Sequence, residues 1–514
     1  MLSLKSTTDN DPMTLPVWRK VAMVIVISLA AFQGNFAAGA HLIAFKPMSE
    51  YFQVSVTAIA NTIGIGILGV GVGSLLWSPL ASPTGLGRRN TTLLAWGFYV
   101  ALTFWMAFAK TFSSFAASRF LALFCASVAQ SVPAQQIGET FDRKYKGTAV
   151  SAWALLMTLG PISTPLVGSG LLLINPGPQA FRNIYYFVIA TAAFVWILMF
   201  FFVPETAYIQ PNAVEINHNK AQIESDQKLD NESKEVNRIE SASSHTNEED
   251  EIASRARLSL APWYVLLPLP LLRFFDGRVF LCGLMFAITF GWTVGMTIIN
   301  PQVFSQAPWK FGNVAIGGLY MSAFVGAIIG KLLGGYIVDS GLIMWRKNRT
   351  AYAEQRLWAL LIFLPFGIVG LLCYGFGIGQ KMQWPVSIIP GQAASYLYFN
   401  IVSSVIQTYL VEVEPASATP VITFMNLVKC VFSFGVPFFV PAWALESNPS
   451  TGFQTSFIIQ MVVNVVLCFI TVSLAIFLRN GLYKWQKGTA DTKTTALALQ
   501  APFLPRLNKQ FGGV

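Results

Sequence analysis

Apolar residues in this chain come in long unbroken runs. They lack the every-second-residue alternation of a half-buried strand and the narrow stripe of a helix whose other side faces water. Twelve runs stand near residues 21–44, 58–80, 91–109, 113–137, 148–174 and 183–204, and again near 278–302, 313–338, 356–378, 385–411, 418–442 and 453–478. A helix needs roughly 20 residues to cross about 30 Å of hydrocarbon, so the pattern predicts twelve membrane-spanning helices. In lipid every backbone N–H and C=O must be satisfied inside the protein, which a helix achieves within its own segment.

The runs form two sets of six. Residues 207–260, between the sets, are rich in Glu, Asp, Lys, Asn and Ser and include the acidic run Glu248, Glu249, Asp250 and Glu251. Such a stretch buries too little apolar surface to fold alone and reads as a disordered linker. The expected organisation is an N-terminal tail (1–17), a six-helix bundle (18–206), the linker (207–260), a second six-helix bundle (261–479) and a C-terminal tail (480–514). The fold class is all-α integral membrane, with twelve transmembrane helices in two pseudo-symmetric six-helix bundles. The first run is too long for the apolar part of a signal peptide and lacks a clean cleavage site, so it reads as a span.

Basic residues cluster in alternate loops. One set carries Arg19 and Lys20; Arg88 and Arg89; Arg143, Lys144 and Lys146; Arg346, Lys347, Arg349 and Arg356; and Arg479, Lys484 and Lys487. The other set holds the isolated Lys46, Lys110, Arg182, Lys310 and Lys381. Loops rich in Lys and Arg stay on the cytoplasmic side, so both termini and the linker are expected there. The N-x-S/T matches at Asn90, Asn231 and Asn348 fall on that side, where no glycan is expected.

Composition removes other classes. The chain is 54% hydrophobic and 11% charged, against roughly 25% charged in a soluble domain. The net charge of +10 sits in loops, without a basic patch interleaved with surface aromatics, so no nucleic-acid partner is expected. Five cysteines lie far apart in apolar runs without a CxxC, and the three histidines, His41, His218 and His245, lack metal-ligand spacing, so no metal is expected. HExxH, GxSxG and Walker patterns are absent, which argues against an enzyme or a nucleotide site. No cofactor is expected, and energy would come from an ion gradient, protons first.

The halves echo each other. The fifth run reads Gly160-Pro161-Ile162-Ser163-Thr164-Pro165, and the eleventh Gly435-Val436-Pro437-Phe438-Phe439-Val440-Pro441. Equivalent kinks in two halves point to a pseudo-symmetric transporter. Three further segments stand out: Pro79 to Arg89, ending Gly87-Arg88-Arg89; Ser118-Arg119-Phe120-Leu121 inside the fourth run; and Pro204-Glu205-Thr206 after the sixth. With the Gly-Pro segment, these resemble the motifs of a major facilitator superfamily transporter of the fungal drug:proton antiporter branch, over about residues 18–480 outside the linker. The loop before Arg88 departs from the family pattern in lacking an acidic residue, Leu123 stands at a usual glycine of the arginine motif, and Thr164 stands where a glycine is common. The resemblance implies alternating access driven by protons. It implies a cytoplasmic gate at Arg88 and Arg89, with Asp339 in the second-half counterpart Gly335 to Asp339. It also implies an intramembrane role for Arg119 and a helix-kink motif of Gly160, Pro161, Pro165 and Gly168.

The residues carry their own chemistry. A guanidinium in hydrocarbon is costly, so Arg119 should face a partner or a water-filled cavity, or else snorkel to the interface. A carboxylate that is buried in one state and exposed in another can take up and release a proton. Glu139, Asp142, Glu412 and Glu414 stand at span ends, where either that cycle or pairing with loop arginines is open. Lys429 lies mid-span on one helix face with Asn426 and would contact a polar or anionic substrate or pair with Glu412 or Glu414. Lys331, nearer its helix end, reads as a snorkelling residue. Candidate cavity residues are Gln33, Asn35, Asn61, Gln130, Gln135 and Trp153 in the first half, and Trp292, Tyr320, Tyr396, Asn400, Gln407 and Asn426 in the second. Amides and aromatics in spans can hold a substrate or join helices. Glycine stripes at Gly64, Gly66, Gly69, Gly71 and Gly73, and at Gly326, Gly330 and Gly334, permit close helix approach.

The leading expectation is a proton-coupled secondary transporter exporting a small organic molecule such as a drug, toxin or secondary metabolite. The alternative is a proton symporter importing a nutrient, amine or organic cation. The expected partners are a small-molecule substrate, protons and the lipid bilayer, with the chain a monomer in the plasma membrane or, alternatively, the vacuolar membrane.

Overall fold

Long apolar segments fold as helices throughout. The structure, a computed structural model, describes residues 12–141, 143–207, 262–337, 356–413, 418–445 and 452–477. Twelve long helices organise it. The first half contains α1 (Val17–Ala38), α2 (Val56–Leu80), α3 (Arg88–Phe108), α4 (Phe112–Thr140), α5 (Arg143–Leu171) and α6 (Phe181–Phe202). The second contains α7 (Gly277–Phe304), α8 (Asn313–Leu332), α9 (Trp358–Gly379), α10 (Ala394–Val413), α11 (Ala418–Leu445) and α12 (Gly452–Phe477). Among the described residues, eleven helices are long and apolar enough to cross a membrane. The remaining one is α10, which is entered through the short helix Trp384–Val386 and a π-helical segment, Ser387–Ala393, containing Pro390. Proline removes a backbone donor from the helical ladder, and the predicted continuous run 385–411 is π-helical near its start.

Two other boundaries depart from the apolar pattern. The first run extends to residue 44, yet α1 stops at Ala38 and the chain turns at Gly39 before a short helix, Phe45–Phe52. Ala40, Leu42, Ile43 and Ala44 are all buried in that turn, so hydropathy alone extends the run past the helix end. In α4, the pieces Phe112–Ala126, Val128–Ser131 and Pro133–Thr140 follow one another, with Pro133 opening the last. A first-turn proline costs nothing, because its missing N–H has no partner there anyway.

Packing repeats with a shift of six helices. In the first half α1 packs on α5 and α6, α2 on α4, and α3 on α4 and α6. In the second, α7 packs on α11 and α12, α8 on α10, and α9 on α10 and α12. The halves meet along two seams related by the same shift, α2 against α11 and α5 against α8. Large apolar side chains such as Phe98, Phe104, Phe194, Phe201, Ile362 and Val466 are exposed on the outside, the surface lipid tails would cover.

Glycines decide how close these helices come. On α2, Gly69 and Gly73 face the backbone carbonyls of Phe120 and Phe124 on α4, while Gly64 faces the Phe434 carbonyl and Gly71 the Cys430 side chain on α11. One helix thus packs tightly on two sides, once within its half and once across the seam. Gly326 and Gly330 of α8 sit against the carbonyls of Ala393 and Leu397 at the start of α10.

The two helices that carry paired prolines are equivalent in position but not in detail. On α5, a Cβ at Gly160 would lie 2.5 Å from the Phe32 carbonyl oxygen of α1, and Thr164 donates to the Phe36 carbonyl at 2.8 Å. On α11, Gly435 meets only Phe439 of its own helix, at 3.8 Å. The second half places its small residues on the partner instead: Gly291 and Gly295 of α7 receive Phe432, Val436 and Val440 of α11. A Cβ at Gly168 would lie 3.3 Å from Ile43 and 3.4 Å from Ile184, a tight fit against two side chains.

Candidate functional site

Arg119 sits two turns into α4, which starts from the Thr111 cap where the hydroxyl accepts the Ser114 N–H at 3.3 Å. It is fully buried. Nε donates to the Thr62 carbonyl at 2.9 Å, Nη1 to the Ala37 carbonyl at 3.3 Å, and Nη2 to the Ala38 carbonyl. Ala37 and Ala38 close α1, so the guanidinium sits at the negative end of that helix's dipole, sharing the Ala37 carbonyl with the Ala40 N–H at 3.2 Å. Gly66 makes the room, since a Cβ there would lie 3.1 Å from Arg119 Nε. The snorkelling arrangement is therefore not the one found: the charge is held inward by backbone dipoles. Among the described residues no carboxylate pairs with it.

A second buried group adjoins it. His41 stands in the turn after α1, and its Nε2 lies 2.9 Å from Thr62 Oγ1 and its Nδ1 3.0 Å from the Tyr185 hydroxyl of α6. Thr62 donates its only hydroxyl hydrogen to the Ile59 carbonyl at 2.7 Å. Its oxygen can then only accept from His41, which places the imidazole hydrogen on Nε2. Nδ1 is left bare and accepts from Tyr185. The Tyr185 oxygen in turn faces the Arg119 guanidinium. Burial first, and the Arg119 charge second, hold His41 well below the ordinary histidine range. The sequence singled out neither His41 nor Tyr185 nor Thr62. A histidine inside an apolar run, near its end, is the signal the sequence offers.

At the opposite end of the first bundle, Arg88 opens α3. Its Nη2 meets Glu139 Oε1 at 2.5 Å, its Nε meets Oε2 at 3.1 Å, and its Nη1 donates to the Ala81 carbonyl at 2.9 Å and to Gln135. The loop's missing acid comes from far along the chain. Glu205 accepts the backbone N–H of Arg88 at 2.9 Å and of Arg89 at 3.2 Å, capping α3. Gly87, at φ 83°, lets the carboxylate approach, since a Cβ there would lie 2.6 Å from Glu205 Oε2. The Arg89 guanidinium donates to the Phe200 carbonyl at 3.0 Å. Glu205→Ala should therefore lower stability by about 0.5–2 kcal/mol, the worth of a helix cap, and Glu205→Gln, whose amide oxygen still accepts, by less. Thermal unfolding of the purified variants reads the difference.

The second half repeats this ion pair. Arg356 Nε and Nη2 meet Glu412 at 2.7 and 2.6 Å, at the end of α10 that corresponds to Glu139 on α4. Of the two readings open for Glu139 and Glu412, pairing with loop arginines is the arrangement found. Glu139→Gln is therefore expected to leave pH-driven transport in place, and transport assays on the variant check this. Asp142, Asp339 and Glu414 lie outside the described residues.

Lys429 is buried on α11 with its ammonium 5.6 Å from the Phe286 ring centroid and 5.0 Å from that of Phe290, both on α7. Glu412 is engaged by Arg356, so the pairing with Lys429 does not form. Ring faces attract a cation, more strongly when water is excluded.

The cavity candidates divide between joined and separate groups. Asn35 accepts from Gln130 at 2.9 Å and links α1 to α4, and Gln33 donates to the Val188 carbonyl at 3.0 Å. Trp153 donates to the Ala129 carbonyl at 3.2 Å. Tyr320 donates to the Thr297 carbonyl at 2.6 Å, and the Thr297 hydroxyl meets the Tyr396 hydroxyl at 2.5 Å. A neighbouring chain joins Tyr374 to Asn300 at 2.7 Å and Asn300 to Gln392 at 3.1 Å. Asn400 donates to the Tyr396 carbonyl at 2.9 Å, and Gln407 reaches Ser403 at 3.4 Å. Among the described residues, the buried oxygens of Asn61 and Asn400 and the indole N–H of Trp292 have no hydrogen-bond partner. Asn426 is buried one turn from Lys429.

Two six-helix halves, joined along two seams and each holding a buried cation at membrane depth, define a polytopic membrane transporter rather than an enzyme. The sequence profile of the Major Facilitator Superfamily matches residues 27–437, and the chain belongs to that family. It is 25% identical to the "Efflux pump FUB11" of Gibberella moniliformis, over 84% of this chain and 68% of that protein. It is 21% identical to the "Cycloheximide resistance protein" of Candida maltosa, over 72% of this chain and 63% of that one. Among solved structures, the proton:xylose symporter XylE bound to 6-bromo-6-deoxy-D-glucose superposes with a TM-score of 0.63 at 14% identity, covering 90% of this chain and 97% of that one.

Proposed function

We propose that this chain is a proton-coupled antiporter that exports a small organic molecule by alternating access. The carrying observation is the pair of symmetry-related seams, α2 on α11 and α5 on α8, with glycines set against main chain: Gly64 on the Phe434 carbonyl and Gly317 on the Pro165 carbonyl. Side-chain-poor contacts let two rigid bundles rock about a fixed seam, opening the space between them to one side at a time. Export is supported by the Gly160-Pro161 segment against α1 and by relatives named as an efflux pump and a resistance protein. Lysines and arginines gather at the Arg88 end, so that end and both termini are assigned to the cytoplasm and the His41 end to the outside. The plasma membrane is the assigned location, with the chain acting as a monomer.

Inside-out plasma-membrane vesicles, acidified within, test the reading with a panel of tritiated amphipathic compounds that includes cycloheximide. Accumulation in the acidic lumen, abolished by a protonophore, is the expected result. Acid-driven loss of preloaded compound would make the protein a symporting importer.

A further inference from the structure

We propose that His41 Nδ1 is the atom that binds the coupling proton, so that the proton-coupled reading above, on which this rests, runs through an imidazole rather than a carboxylate. Among the described residues, three carboxylates at the span ends are engaged: Glu139 by Arg88, Glu412 by Arg356, and Glu205 by the α3 N-terminus. His41 is different. It is buried at the junction of α1, α2, α4 and α6, and histidine is the side chain whose ordinary value lies where cellular pH differences can move it.

The hydrogen-bond chain fixes what protonation does. In the tautomer that the Thr62–Ile59 bond implies, Tyr185 donates to Nδ1, and Nε2–H donates to Thr62, which donates onward to Ile59. A proton arriving at Nδ1 forms an N–H bond there, so Tyr185 must turn its hydroxyl hydrogen away and accept instead. The imidazolium then stands beside the Arg119 guanidinium in a buried pocket, with Tyr185 of α6 and Tyr99 of α3 the other titratable groups facing the pair and Thr62 the group from α2. Among the described residues no carboxylate offsets the two positive charges. Their repulsion acts between the end of α1, the turn after it and α4, at the end assigned to the outside. Loss of the proton restores the chain from Tyr185 through His41 to Ile59. Because the found arrangement holds the imidazole below its ordinary value of about 6.5, the stabilisation it gives is present above that pH and is lost as pH falls through the lowered value. Acid at that end therefore disfavours the arrangement found, which is how an incoming proton would act on it.

The test uses the full chain in proteoliposomes with tritiated cycloheximide as probe, comparing wild type, His41→Gln and Tyr185→Phe. Glutamine can donate and accept but cannot take the proton. Two rates are read: exchange at equal pH on both sides, and uphill accumulation, for which each pH unit sustains roughly a tenfold ratio per proton. His41→Gln should lower accumulation by a far larger factor than it lowers exchange. Retained accumulation overturns the proposal, and loss of exchange together with accumulation overturns it by making His41 a structural residue. A second measurement is independent of substrate: nitrogen NMR of histidine-labelled protein in nanodiscs, where the three imidazoles are His41, His218 and His245 and the His41 signal is the one missing from His41→Gln. The expected signal is the Nε2–H neutral form, charged only below the pH at which the other two titrate and at a higher pH in Tyr185→Phe. An Nδ1–H form, or titration alongside the other two in both proteins, overturns the assignment. Wild-type vesicles that never accumulate cycloheximide defeat the proton-coupled reading itself, and the imidazole spectra then decide the His41 chemistry alone.

Discussion

Arg119→Met should abolish measurable transport, and Arg119→Lys should fall nearly as far. The guanidinium spans three carbonyls on two helices, Thr62 on α2 and Ala37 and Ala38 at the end of α1. Charge-assisted hydrogen bonds contribute about 1.5–3 kcal/mol each, and a lysine ammonium on a flexible stem lacks the planar fork that reaches all three. Methionine fills the volume but takes the donor from the Ala38 carbonyl, at about 1–3 kcal/mol, while the Ala37 carbonyl keeps the Ala40 N–H at 3.2 Å. The expected result is reduced thermal stability for both variants and transport below about a hundredth of wild type for each molecule in the membrane, since about 2.7 kcal/mol is two decades of rate. Fluorescence-detected size exclusion gives the amount and melting point, and vesicle uptake gives the rate. Wild-type transport by Arg119→Met would remove Arg119 from the mechanism and leave its pocket a matter of folding alone.

Gly73→Val should block assembly. A Cβ at Gly73 would collide with the Phe124 carbonyl oxygen and lie 2.9 Å from its carbon, so α2 and α4 would have to separate. The collision is with main chain, which cannot rotate away, and overpacking a fitted interface costs about 1–3 kcal/mol or more. The same displacement would disturb the opposite side of α2, where Gly71 touches Cys430 across the seam. Gly170→Val is the matched control, because nothing lies within 4 Å of a Cβ at that position. The first variant should be absent from, or depleted in, the folded fraction, while the second should behave as wild type. Equal yields of both would mean that the α2–α4 contact tolerates separation.

Much of the architecture is legible in hydropathy, because a chain in lipid must form helices and helices must be about as long as the bilayer is thick. The two sets of six follow from the polar stretch between them. Local geometry is less legible. The end of α1 at Ala38 is hidden because the turn that follows is itself apolar and buried, and the π-helical entry to α10 contains Pro390 within a continuous apolar run. The kink motifs on α5 and α11 look alike in sequence, yet in the second half the close approach is made by Gly291 and Gly295 on α7.

The site divides in the same way. Arg119 was visible because a charge in an apolar run is costly, but its partners are carbonyls, which no side-chain pattern records. Glu205 ends a recognisable motif in the sequence, but its task at Arg88, 117 residues earlier, needs the fold. His41 and Tyr185 are 144 residues apart and form no spacing that periodicity could reveal. Lys429 was visible for the same reason as Arg119, and its neighbours proved to be rings rather than acids.

The central claim is that an organic molecule and a proton move in opposite directions through this chain. Proteoliposomes enclosing the pH dye pyranine read that directly when cycloheximide is added outside at equal starting pH. Antiport predicts that the lumen becomes alkaline as compound enters and protons leave, and that His41→Gln takes up compound with no change in luminal pH. A lumen that turns acid as compound enters, or compound entering wild-type vesicles with no proton movement at all, would contradict the account.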